Sequence, residues 1–144
     1  MRDGVTLLEL VLVVGLVAIL AFSGVIFYGR FVTQNQVDTT TDTIVQTIRK
    51  AQIYALESRK SETVGWGVRH ASGQLTLYLG ATYAGRTTTW DEVTTTGGNV
   101  SVTAFEVNFS RLTGAPDGTE SITISGMGNS ESVSVNSRGM VTRI

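Results

Sequence analysis

The side chains that could carry chemistry are few, and their spacing does not assemble a reaction centre. There is one histidine, His70, and no cysteine. A thiol nucleophile, a structural disulfide and a cysteine-based zinc site are therefore excluded. A hydrolase needs a nucleophile, a base and a group that orients the base. Serine and threonine are plentiful after residue 60, but nothing sets one beside His70. That histidine falls at the end of a predicted strand next to a turn and reads as a solvated surface side chain. The acids Asp91, Glu92, Asp117 and Glu120 fall in predicted loops. They have the right chemistry for calcium but lack the D-x-D-x-D-G spacing of a calcium loop. Gly126-Met127-Gly128 has no strand-to-helix context and reads as a turn rather than a phosphate cradle. The expectation is a protein that is not an enzyme and has no cofactor, metal or small-molecule substrate.

One ionisable residue stands out by its surroundings. Glu9 heads a run, residues 10–29, of twenty positions without a charge. As a helix at ~1.5 Å per residue this run is ~30 Å long, the thickness of a bilayer core. A carboxylate at that depth costs a few kcal/mol near a helix centre and less near an interface, so it calls for a partner. The polar leader before it is only Met1-Arg2-Asp3-Gly4, and no good small-x-small cleavage site follows the apolar run, which sets it apart from a secretory signal peptide.

Gly4-Val5-Thr6-Leu7-Leu8-Glu9-Leu10 resembles the prepilin signature of the type IV pilin and pseudopilin superfamily. In that family a dedicated prepilin peptidase cuts after the glycine and the new N-terminal residue is methylated. The resemblance implies cleavage between Gly4 and Val5 and N-methylation of Val5, which stands where phenylalanine is usual. Glu9 becomes the fifth mature residue, with Thr6 beside it in the assembly segment. Glu9 could then pair with the free amine of Val5 on a neighbouring subunit, because either charge alone is badly desolvated.

The helical pattern continues past residue 29. Val37, Ile44, Ile48, Ala51 and Ala55 make one stripe of an amphipathic helix that runs to residues 58–61, with Arg59 and Lys60 suited to its last turn. Residues 5–58 as one helix would reach roughly 80 Å, too long for one small domain to bury. Gly15, Gly24 and Gly29 read as close packing positions between neighbouring helices.

After residue 60 the period becomes two. Val64, Trp66 and Val68, then Leu75, Leu77 and Leu79, predict a hairpin around Ala71-Ser72-Gly73-Gln74. A strand region at 100–109 shifts frame near Ala104. Strands follow at Ile122 and Ile124 and at Val133 and Val135, then a turn at 136–139 and a last strand at 140–144. Residues 80–99 read as a long surface loop, with a short strand around 90–93 and Trp90 anchoring it to the core or facing a partner. Ile48-Arg49-Lys50-Ala51 through Ala55-Leu56 is similar to the helix end of the minor pseudopilin H family of type II secretion and its type IV pilus relative FimT. Phe109 with Gly114-Ala115-Pro116, and Val135-Asn136 with Gly139, match the later strand–turn pattern of that family.

The fold class expected is α+β and pilin-like: a long N-terminal helix, its first half transmembrane, packed on a small antiparallel β-sheet domain. The parts are a leader at 1–4, a membrane and filament-core half at 5–29, an amphipathic half at 30–60 and a β domain at 61–144. The resemblance implies a filament subunit of a type IV pilus or type II secretion system. It would be single-pass in the inner membrane and later in an extracellular or periplasmic filament. Its partners would be other pilin or pseudopilin subunits, prepilin peptidase and, before assembly, inner-membrane lipid.

The alternative is a DNA-uptake minor pilin that binds DNA through Arg138 and Arg143. The net charge is −1, however, the arginines are isolated, and two or three phosphate contacts would bind only weakly. A third class is an ordinary single-span protein whose β domain binds at the cell surface.

Overall fold

The computed structural model describes residues 6–144, apart from the side chains of residues 22–27. Among these it holds one helix, α1 (Leu7–Leu56), and eight strands: β1 (Trp66–Ala71), β2 (Gln74–Leu79), β3 (Thr87–Thr95), β4 (Ser101–Val102), β5 (Phe105–Phe109), β6 (Glu120–Gly126), β7 (Asn129–Val135) and β8 (Val141–Arg143). The chain is α+β with antiparallel pairing throughout. It divides into two compact units, the first ending at Val32 and the second being Thr33–Ile144.

In the second unit the helix stripe Val37, Ile44, Ile48, Ala51 and Ala55 is buried. Thr41 fills the gap of seven in that stripe. It is buried too, and its hydroxyl donates to the Val37 carbonyl at 2.8 Å. A polar side chain is tolerated there because its one strong donor is satisfied within the helix. The stripe joins the buried faces of the strands in a single apolar cluster.

α1 ends in a left-handed turn. Ser58 has φ 51°, its N–H donates to the Ala55 carbonyl at 3.2 Å, and the Arg59 N–H donates to the Tyr54 carbonyl at 2.9 Å. That pair of bonds is a Schellman cap with serine where glycine is usual.

The strands form two four-stranded sheets rather than one, in the orders β3-β2-β1-β5 and β4-β6-β7-β8. The frame shift near Ala104 is where the chain changes sheet. Ser101 and Val102 pair with Ser125 and Ile124 of β6, while Phe105 pairs with His70 of β1. The predicted hairpin is present, with Ala71 opposite Gln74 and the turn at Ser72 and Gly73. The turn Met127-Gly128 closes β6 on β7, with Gly126 opposite Asn129.

Within the loop expected at 80–99, the short strand expected around 90–93 is a nine-residue edge strand, Thr87–Thr95. Threonine favours strands by its branched β-carbon, but an edge exposed on both faces shows no apolar alternation. Tyr78 alternates with Leu75, Leu77 and Leu79 and so lies on the other face of β2, yet it too is fully buried. The loop after β2 folds back over that face, and Tyr83 meets the Tyr78 ring edge-on with centroids 5.4 Å apart.

Candidate functional site

The segment expected to direct assembly begins outside the described residues, where Gly4 and Val5 lie. Thr6 and Glu9 are described. Thr6 caps α1: its Oγ1 accepts the Glu9 N–H at 3.3 Å and its carbonyl accepts the Leu10 N–H at 3.1 Å. With Glu9 at the third helical position, Thr6-Leu7-Leu8-Glu9 is a capping-box sequence. The sequence reading missed this local role. Glu9 lies in the first turn, where the exposed N–H groups of a helix favour a carboxylate. No described cation forms an ion pair with it.

Beyond Glu9, residues 10–20 of the first unit bury no large apolar side chain. Every large side chain from Leu10 to Leu20 is exposed, from 54% at Val13 to 70% at Ile19. Exposure is not confined to one stripe, so the helix is apolar all round. Among the described residues, a Cβ on Gly15 or Gly29 would meet nothing within 4 Å. No helix among the described residues is long and apolar enough to cross a membrane. The predicted run at 10–29 includes residues 22–27, whose side chains are outside the described ones.

The two C-terminal arginines differ in their surroundings. Arg143 is held by three carboxylates: Asp38 at 2.7 Å, Asp42 at 3.2 Å and Glu131 closer still. Its pKa is raised, first by the hydrogen bond to Glu131. A phosphate approaching this guanidinium would meet three acids. Arg138 is exposed on the β7–β8 turn, with its backbone N–H bonded to Asn136 Oδ1 at 2.9 Å. The structure leaves only one of the two arginines ready for DNA and does not bring them into a common patch.

His70 is not solvated, contrary to expectation. It is 4% exposed, stacks on Phe105 at 6.2 Å and lies 3.3 Å from Thr96 Oγ1 through Nε2. Burial lowers its pKa, with the Thr103 backbone acting against that shift. The turn after β1 hides it beneath the segment that leaves β3, a long-range packing that residue spacing does not disclose. His70 floors an open groove of about 810 Å³ lined by serine, threonine, glycine and asparagine side chains together with Val100 and Met127. No acid or second histidine lines that groove, so it lacks the groups for acid–base or metal chemistry.

Of the acids assigned to loops, Glu120 opens β6 and the other three are bound structurally. Asp91 binds Arg86 at 2.8 Å, Glu92 binds Lys50, and Asp117 accepts from the Asn108 backbone at 3.1 Å and from its side chain at 2.8 Å. No described group of three His, Cys, Asp or Glu could hold a metal ion. Trp90 stays 40% exposed under the Lys60 ammonium, 4.4 Å from the ring centre, so it neither enters the core nor stands bare.

Comparison of the chain with protein-family models, with curated proteins and with solved structures returned no match.

Proposed function

We propose that the protein is a structural subunit of a type IV pilus or a type II secretion filament. It would be processed between Gly4 and Val5, held in the inner membrane by residues 5–29, and assembled through that segment. The observation that carries this reading is the contrast along α1. Its later part buries one stripe against the strands, whereas the large apolar side chains of residues 10–20 are exposed around the whole circumference. Such a surface requires lipid or other helices. Gly15, whose Cβ position is open among the described residues, fits close helix–helix approach.

In this reading Glu9 sets the stagger between subunits by pairing with a neighbour's N-terminal amine. The capping box makes Glu9→Gln the informative variant, since glutamine also serves at that helical position but carries no charge. The expected result is a protein that remains folded and membrane-associated but is not recovered in filaments. Normal incorporation of Glu9→Gln would rule out the assignment.

A further inference from the structure

The unit Thr33–Ile144 has two unlike ends. At one end α1 stops, and there lie the turn after the helix, the β2–β3 connection, the β5–β6 connection and the β7–β8 turn. The Leu112 N–H bonds to the Ala55 carbonyl at 3.0 Å, Trp66 Nε1 donates to the Arg59 carbonyl at 2.8 Å, and a Cβ on Gly139 would run into the Gln52 side chain. These connections carry Glu57, Arg59, Lys60, Glu62, Arg86, Arg111, Asp117 and Arg138.

At the other end the unit begins, at Thr33. A Cβ on Gly126 would lie 2.8 Å from the Thr33 methyl and 2.9 Å from the Asn99 carbonyl, and Thr33 Oγ1 lies 3.1 Å from Met127 Sδ. The Thr96 N–H bonds to the Gly73 carbonyl at 2.9 Å. The β6–β7 turn, the β1–β2 turn and the segment 96–100 therefore share this end. None of them holds a charged residue: there is none between Glu92 and Glu106, none between Glu120 and Glu131, and none between Arg69 and Arg86.

At the tip of this neutral end stands Met127, 69% exposed and with φ 42°. A left-handed backbone strains a methionine, and apart from its sulfur contact with Thr33 the side chain is mostly exposed. Chain connectivity ties this end to the apolar run, because Thr33, where the unit begins, is only four residues after Gly29 in the sequence.

We propose that, while the chain is anchored, this uncharged end rests on the lipid surface with Met127 inserted at the headgroup–acyl boundary. The proposal depends on the reading that residues 10–29 lie in the membrane. Serine, threonine, asparagine and glycine turns suit the hydrated headgroup layer, and a flexible apolar side chain suits the boundary beneath it.

The chain has no cysteine, so single cysteines report single sites. The full chain would be reconstituted in vesicles of phosphatidylethanolamine and phosphatidylglycerol (3:1). It would carry one nitroxide at Met127→Cys, Ser72→Cys, Met140→Cys or Ala18→Cys. Relaxation by oxygen against a water-soluble nickel chelate then gives depth. The expected order is Ala18 deep in lipid, Met127 at the boundary, Ser72 in the headgroup layer, and Met140 at the charged end in water. Ser72→Cys tests the same end if the Met127 variant fails to fold. With Ala18 in lipid, water-like values at both 127 and 72 overturn the proposal and leave the membrane reading intact. Dipolar broadening at 127 would put a second copy on this end instead, and also overturns it. A water-like Ala18 removes the membrane reading and the proposal together.

Discussion

Gly67 shows how tightly a single position can be constrained in this domain. The Tyr78 ring crosses directly over it, so a Cβ there would come within 2.5 Å of Tyr78 and even closer to Asn108 Oδ1. The Tyr78 hydroxyl lies within hydrogen-bond reach of Asn108 Oδ1 and, at 3.1 Å, of Glu106 Oε1, and its single proton is shared between these two acceptors, so the ring cannot slide aside without losing them. Burial also raises the pKa of that phenol far above its ordinary value. Gly67→Ala should therefore destabilise by about 1–3 kcal/mol through overpacking, read from denaturant unfolding.

His70 sets a pH dependence. Unfolded, it takes a proton near pH 6.5; folded, burial lowers its pKa. As pH falls below 6.5 the unfolded chain binds a proton that the folded chain resists, so stability is lost toward acid. His70→Gln should flatten the fall in melting temperature between pH 7 and 5; an unchanged slope would show that other groups set it. Glycine at 67 and histidine at 70 are plain in the sequence, but their constraints come from chain far away, which no local pattern encodes.

At the scale of elements, α1 was the most legible. Its stripe at 37, 44, 48, 51 and 55 reads directly from helical periodicity, and Thr41 was passed over because its burial depends on a back-bond to Val37. The helix ends at Leu56 because Ser58 turns left-handed. A serine there bears a steric penalty, and its hydroxyl is buried without a hydrogen-bond partner among the described residues. Ser58→Gly should relieve both. The expected gain is about 1 kcal/mol, a rise of several degrees in melting temperature by calorimetry. The β1–β2 hairpin was legible because the inward apolar residues alternate and the turn carries glycine. β3 was legible only as a short strand around 90–93, because an edge strand of threonines has neither face in the core. The division into two sheets was visible only as a broken frame near Ala104. A frame shift signals a bulge and a change of sheet equally well.

At the scale of the molecule, charge placement matters more than net charge. Arg143 ties β8 to α1 and β7 by neutralising Asp38, Asp42 and Glu131. Each exposed pair is worth little, but removing the shared cation leaves three acids facing one another. Arg143→Gln should cost about 1 kcal/mol in low salt, with much of it restored by added salt as the repulsion is screened. A loss that is indifferent to salt would show that Arg143 acts by packing instead. The same arginine looked available for DNA in the sequence. Its three partners lie 12, 101 and 105 residues away, which is why spacing alone could not show that it was taken.

The crossing at Thr103 and Ala104 has a consequence for how the domain comes apart. One stretch of chain supplies β4 as the edge of one sheet and β5 as the edge of the other. Peeling β5 from β1 pulls on the segment that holds β4 to β6, so neither sheet can shed its edge alone. The strands should exchange their amide hydrogens as one cooperative unit rather than as two foldons. Under tension the domain would then yield in a single step, with no half-open sheet exposing a loose strand.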